Sequence, residues 1–317
     1  MPKFTIIHTT TYNYQNKVYD SANQIMLYPI EDDWQELLTL QLKITGEPSV
    51  DIFTDYYGNK VGTFTSPEKH SELKIESTII INVKKKVLPN PSIFSANQWE
   101  TLQAIANQIP FINFLKQEKF SASKEILDVV NPDLHKNESP LQIAEYFCDY
   151  VFNNFQYVKG VTTVETTIDE IWKIKSGVCQ DFAHILLVML RYLNIPARYV
   201  SGYICPNRNG MRGEGATHAW VEAYIPDYGW LGLDPTNNCL VEDAHVRLAV
   251  GRNFIDCSPV KGTYKGTSQH SLNVKVIVSY ENDPLPKIDE ILEETVSDTP
   301  INSYRRFLEI QQIQQQQ

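Results

Sequence analysis

Basic residues are in short supply. Lys and Arg number 28 against 38 Asp and Glu, a formal charge of -10, and binding to phosphate backbones needs concentrated cations, so nucleic acid is excluded as a partner. The one basic run, Lys84-Lys85-Lys86, reads as a solvated strand end. Cysteine is also sparse: five residues, at 148, 179, 205, 239 and 257, form an odd set without close pairs, which excludes a disulfide framework or a zinc ribbon. Thiols so placed suit a reducing compartment. No apolar run is long enough to span a bilayer, and Met1 to His8 has no basic, apolar, small-residue leader, so the expectation is a cytoplasmic protein without a membrane partner. No acidic, glycine-containing calcium loop lies near the centre of the chain, and neither a metal nor another cofactor is expected.

With 317 residues, 42% of them hydrophobic and 21% charged, the chain suffices for a sizeable core and for two domains. Its first eighty-odd residues alternate as half-buried strands do. Phe4, Ile6, His8, Thr10, Tyr12 and Tyr14 share one parity, Leu38, Leu40, Leu42 and Ile44 another, and Leu73, Ile75, Ile79, Ile81 and Val83 a third. Gly46-Glu47-Pro48 and Tyr57-Gly58-Asn59 supply turns, with shorter strands at Val50 to Phe53 and Val61 to Phe64. Residues 1–88 therefore read as an antiparallel β-rich domain, in which His8 is a structural histidine of the core face.

Leu88-Pro89-Asn90-Pro91 ends the strand pattern. Residues 89–138 read as a linker and helical connection, with one helix from Asn97 to Ile109 and little pattern beyond Pro110. Ser139-Pro140 opens a helix whose Leu141, Ala144, Phe147 and Val151 fall on one face. Thr167 caps a short helix that delivers the chain to Ser176-Gly177. Next comes Cys179, at the start of a helix running to about Leu193 and apolar on nearly every side, hence buried. Strands follow at Ala197 to Ile204, His218 to Ile225 and Trp230 to Leu233, the last two joined by the tight turn Pro226-Asp227-Tyr228-Gly229. The loop from Cys205 to Gly215 reads as exposed and mobile. Further strands fall at Val246 to Val250 and Ser271 to Tyr280, so residues 139–280 form a core with a C-terminal extension and 281–317 an acidic, glutamine-rich tail.

Three of these residues stand where side chains project from the ends of regular elements. A helix N-terminus carries partial positive charge and unpaired N–H groups, which favour a thiolate at Cys179 and an oxyanion beside it. His218 opens one strand and Asp234 closes the next. If those strands form a hairpin of nearly equal arms, His218 and Asp234 come side by side, the one as base and the other as the group that orients it. Gln180 and Asp181 read as capping residues of the first turn, His184 as a more distant neighbour, and Trp220 and Trp230 as core.

The motifs Gly177-Val178-Cys179-Gln180-Asp181-Phe182-Ala183, Thr217-His218-Ala219-Trp220-Val221-Glu222 and Gly229-Trp230-Leu231-Gly232-Leu233-Asp234-Pro235-Thr236-Asn237 together resemble the bacterial branch of the transglutaminase-like superfamily. The opening His8-Thr9-Thr10-Thr11-Tyr12-Asn13-Tyr14 with Met26-Leu27-Tyr28-Pro29, and later Ala249-Val250-Gly251-Arg252 and Lys261-Gly262-Thr263-Tyr264, are similar to the regions that flank the core in those proteins. The resemblance implies an α+β, papain-like core with the cysteine helix packed on an antiparallel sheet, and a triad of Cys179, His218 and Asp234. It also implies acyl transfer on peptide or protein amides through a thioester, whether by a cysteine peptidase, an amidase or a cross-linking transferase. Hydrolysis is the expectation. A zinc site built from Cys179, His218 and Asp234, and a peptide-binding scaffold without activity, are the competing readings; oligomeric state is not legible.

Overall fold

The computed structural model describes residues 1–89, 97–118, 120–121, 123–135, 137–163, 166–205, 211–213, 216–267 and 269–280. The expected tail, 281–317, lies outside them. The chain divides into two units, residues 1–83 with 258–317 and residues 84–257.

The first unit is built on one strand, β1 (Lys3–Ile25). Its first half pairs antiparallel with β5 (His70–Val83), which in turn pairs with β2 (Gln35–Ile44); its second half pairs with β4 (Lys60–Ser66), flanked by β3 (Asp51–Thr54). The register breaks between Asn13 and Val18, and Asp20 takes a positive φ of 48°, the irregularity that lets one strand bend from one set of partners to another. Phe4, Ile6, His8 and Thr10 are buried in alternation, as their parity requires. His8 bonds Thr10 Oγ1 at 3.0 Å, and burial pushes it down to about 4, so it is a neutral core histidine. Leu38 departs from the expected parity. It sits where the β2–β5 register shifts between Leu37 and Thr39, and is 43% exposed, because the extra residue of a bulge turns the side chain off the buried face.

The second unit sets helices against a second sheet. Helix α1 (Asn97–Ile105) stops four residues short of the expected Ile109. Between residues 110 and 138 lie elements that the composition does not announce: α2 (Phe111–Leu115), α3 (Ser123–Val129) and a 3₁₀ turn at Pro132–His135. Helix α4 (Pro140–Asn154) begins with a full capping box between Ser139 and Gln142. The two-residue strand β6 (Gln156–Tyr157) pairs in parallel with β7 (Ser176–Gly177), on either side of α5 (Ile168–Ile174), which Thr167 and Glu170 cap in the same way.

Helix α6 (Cys179–Tyr192) is the core of this unit. Phe182, Ala183, Ile185, Leu186, Met189 and Leu190 are all 0% exposed, and each large apolar side chain contributes roughly 1.5–3 kcal/mol by leaving water. Asn194, at φ 56°, takes the left-handed conformation that ends the helix. The helix packs on β8 (Ala197–Ile204) and β9 (His218–Ile225) of an antiparallel sheet completed by β10 (Gly229–Asp234), β11 (Cys239–Leu240) and β12 (His245–Gly251), in the order β11-β10-β9-β8-β12. A single turn, α7 (Phe254–Cys257), closes the unit.

The chain then returns to the first sheet. Strands β13 (Val260–Lys265) and β14 (His270–Tyr280) both pair with β1, so residues 258–280 belong with the N-terminal sheet and not with the core to which the sequence reading assigns them. Alternation identifies strands but does not name their partners. No helix among the described residues is long and apolar enough to cross a membrane.

Candidate active site

Cys179 is the first residue of α6, and the preceding turn is fitted to hold it there. Asp181 reaches back to accept from the Val178 N–H at 2.7 Å and from the Thr162 hydroxyl at 2.6 Å, the half of a capping box in which the N3 side chain satisfies the N-cap N–H. A side chain at Gly177 would run into the Asp181 carboxylate, with a Cβ only 2.7 Å from that of Asp181. The motif around Cys179 is therefore a cap: glycine admits the aspartate, and the aspartate ties down the backbone before the thiol.

His218 and Asp234 meet where β9 begins and β10 ends, as the hairpin geometry predicts. His218 Nε2 donates to Asp234 Oδ2 at 2.8 Å, and neither side chain reaches solvent. The same Oδ2 accepts from His245 Nε2 at 3.0 Å and from Asn237 Nδ2 at 2.8 Å, while Oδ1 accepts the N–H groups of Thr236 at 2.9 Å and Asn237 at 3.3 Å. A carboxylate so surrounded is held ionised: burial opposes the charge, but the imidazolium of His218 and the hydrogen bonds of both histidines outweigh it and set Asp234 well below the ordinary carboxylate range. For His218, burial acts against protonation, yet the charge and hydrogen bond of Asp234, with a smaller contribution from Cys179, raise it to about 10.

Because Oδ2 can only accept, His218 carries a proton on Nε2, and Nδ1 is the nitrogen that gains or loses one. Nδ1 is buried and has no hydrogen-bond partner among the described residues. Cys179 stands close enough to add to the stabilisation of the imidazolium. Burial pushes the Cys148 and Cys205 thiols well above their usual range and Cys239 to about 12.

Two further residues belong to this cluster and went unread in the sequence. Asn237 grips the loop before β9 by its backbone: its Oδ1 accepts from the Arg212 N–H at 2.7 Å, and its Nδ2 donates to the Arg212 carbonyl at 3.1 Å. Beyond it Gly213, at φ 102°, lies against His218, and a Cβ there would collide with Nδ1. The stretch expected to be exposed and mobile is thus pinned to the site at Arg212 and Gly213; residues 206–210 and 214–215 lie outside the described residues. The other is His245, on β12, which reaches the Asp234 carboxylate from two strands beyond β9.

His184, on α6, accepts the Phe254 N–H at 3.2 Å and makes no bond to His218 or Asp234. Trp220 is core, 0% exposed, and packs against both imidazoles of the site, 6.1 Å from His218 and 5.1 Å from His245 between ring centroids. Trp230 is covered by Phe111 and Phe114 of α2. Of the basic run at residues 84–86, just past the end of β5, Lys84 and Lys85 are exposed as expected and Lys86 is not. Lys86 is 8% exposed and stands 3.9 Å from Glu222, whose carboxylate also meets Arg198 at 2.6 Å and Arg247 at 3.6 Å; burial of Glu222 opposes its charge, but these cations hold it down at about 2.

His218, Asp234 and His245 bring metal-ligating atoms within 4.8 Å of one another. Both Nε2 atoms, however, are spent as donors to one oxygen, an arrangement suited to protons and not to an ion.

Residues 129–235 match the model of the transglutaminase-like superfamily, and residues 4–82 that of the bacterial transglutaminase-like N-terminal region. The chain carries a transglutaminase-like core. An uncharacterized protein of Mycobacterium leprae is 29% identical over 283 residues, 88% of this chain and 99% of its own. A protein-glutamine gamma-glutamyltransferase of Pseudomonas aeruginosa is 38% identical over 73 residues, 22% of this chain and 11% of that protein. Among solved structures, a candidate cysteine protease from Cytophaga hutchinsonii shares the fold, with a TM-score of 0.68 at 20% identity over 92% of this chain and 94% of that one.

Proposed function

We propose that this chain is a thiol-dependent acyltransferase acting on amides of peptides or proteins, with Cys179 as nucleophile, His218 as proton carrier, Asp234 as its orienting partner and water as the usual acceptor. The observation that carries the reading is the buried Nδ1 of His218, left without a partner among the described residues while the other nitrogen is committed to Asp234 at 2.8 Å, in an imidazole that Cys179 is near enough to influence. In the proposed sequence the Cys179 proton passes to Nδ1 and sulfur attacks the amide carbon. The tetrahedral oxyanion is held by the unpaired N–H groups at the start of α6, each such donor supplying roughly 3 kcal/mol in comparable sites. Collapse returns the proton from Nδ1 to the departing amine and leaves a thioester. Water then gives its proton to Nδ1 as it attacks the thioester, and the second collapse restores the thiol and frees the acid.

Transfer to a protein amine is the second reading, favoured by the identity to the Pseudomonas aeruginosa transferase over 73 residues. The two separate on one assay: a glutamine-containing peptide library incubated with the protein, with and without a fluorescent primary amine. Cleaved or deamidated peptides support hydrolysis, and incorporated amine supports cross-linking. The reading falls if Cys179→Ala, folded, turns over the same peptides at the same rate. No two of the five cysteines are joined in a disulfide, which suits the reducing cytoplasm as the place of action.

A further inference from the structure

The hydrogen bond from His245 to Asp234 is not a by-product of strand pairing. His245 opens β12, Asp234 closes β10, and β9 and β8 lie between them in the sheet, yet the imidazole arrives at the same carboxylate oxygen that His218 uses. It is 3% exposed, and Trp220 holds its ring edge to face at 5.1 Å and 72°. The other side of the imidazole is left unserved: His245 Nδ1 is buried without a hydrogen-bond partner among the described residues. An orphan buried acceptor is unfavourable, and a leucine or phenylalanine would fill the site without one. What only histidine adds here is the Nε2 donor.

We propose that His245 is a positioning residue for the His218–Asp234 pair, fixing the Asp234 rotamer by donating its Nε2 proton to Oδ2 so that the carboxylate stays on the axis of the His218 ring. The inference rests on the reading of Cys179, His218 and Asp234 as the reacting group. Without that donor, Oδ2 keeps only His218 and the Asn237 amide, and Asn237 is itself shared with the Arg212 carbonyl. The groups that act on His245 are Asp234 on β10, His218 on β9 and Lys86 ahead of α1. Burial comes first in keeping it neutral; the bond to Asp234 opposes this, and the positive charges of His218 and Lys86 reinforce it. A neutral ring with one proton, facing an oxygen that only accepts, places that proton on Nε2.

The test uses Cys179 itself as reporter, so that no substrate need be known. The alkylation rate of Cys179 by iodoacetamide is followed by mass spectrometry across the range from about pH 4 to 9 in the unsubstituted chain, His245→Phe and His245→Gln, with His218→Ala and Asp234→Asn as references. The expected result is an upward shift of the alkylation midpoint in His245→Phe, seen as a roughly tenfold slower reaction near pH 6. Recovery to within about threefold is expected in His245→Gln, whose amide nitrogen stands where Nε2 was. A midpoint unchanged in His245→Phe while His218→Ala and Asp234→Asn move it overturns the positioning role alone; a midpoint unmoved in all of them overturns the three-residue reading with it. A second measurement needs no variant: in the ¹⁵N-histidine NMR spectrum of the unsubstituted protein, His245 is expected as the neutral Nε2–H tautomer at neutral pH. The Nδ1–H tautomer or an imidazolium there overturns the proposal.

Discussion

His218 Nε2 lies 2.8 Å from Asp234 Oδ2, with both side chains out of reach of solvent. The bond commits Nε2 and leaves Nδ1 as the nitrogen of His218 that gains or loses a proton, and Asp234→Asn therefore does more than remove a charge. It places an amide where three donors converge on one oxygen, so that His218 is driven toward the wrong tautomer. Turnover is expected to fall by about 10³-fold or more, with the Cys179 alkylation rate near neutral pH falling alongside. Steady-state rates on a responsive peptide, with circular dichroism to verify folding, check this.

The pair also makes stability depend on pH in a defined direction. His218 is raised in the folded state, so its contribution is full below the unfolded value of about 6.5 and is lost as pH rises through about 10. Asp234 is lowered, so its contribution is full above the unfolded carboxylate value and is lost only as pH falls well below it. The stability difference between the unsubstituted chain and His218→Gln is expected to be largest near pH 5 to 6 and to shrink steadily toward pH 10. Urea titrations at a series of pH values measure it; a difference that grows with pH contradicts the assignment.

Glu222→Gln tests a structural charge and not a chemical one. Glu222 is 0% exposed and meets Arg198, Arg247 and Lys86, and removing one member of a buried ionic cluster leaves the others uncompensated. A loss of about 3–5 kcal/mol is expected from chemical denaturation, with the pH midpoint of Cys179 alkylation unchanged in the fraction that remains folded.

Gly213→Ala offers the opposite case, with little stability at stake and alignment lost. The added methyl meets the His218 ring at a backbone position of φ 102° that side chains resist. A displacement of His218 approaching 1 Å is expected to lower turnover by roughly 10²-fold, while the melting temperature moves by only a few degrees. A variant as active as the parent would mean that the Arg212–Gly213 stretch yields freely.

The part of this molecule legible in its sequence is the part governed by local rules. The apolar periodicity of α6, the caps at Ser139 and Thr167 and the short turn between β9 and β10 each depend on residues close in the chain, and so does the meeting of His218 with Asp234 across one hairpin. What escaped depends on partners far apart in sequence. His245 reaches Asp234 over two intervening strands, Lys86 is buried because Glu222 awaits it, and Leu38 turns outward because of a register shift that no alternation displays. Asn237 closes a motif the sequence displays, but its grip on Arg212 was not legible, since nothing in Asp-Pro-Thr-Asn names the loop it will hold.

Strand β1 comes first among the described strands, and its partners β13 and β14 come last. Between Tyr14 and its partner His270 the ribosome makes the whole second unit, so β1 is left with one long edge unpaired until β13 and β14 follow, a template for mispairing in the interval. The second unit needs nothing beyond Cys257 to complete its own sheet. Order of completion thus runs against order of synthesis: the segment that houses Cys179 is finished while the domain begun before it still waits for its closing strands.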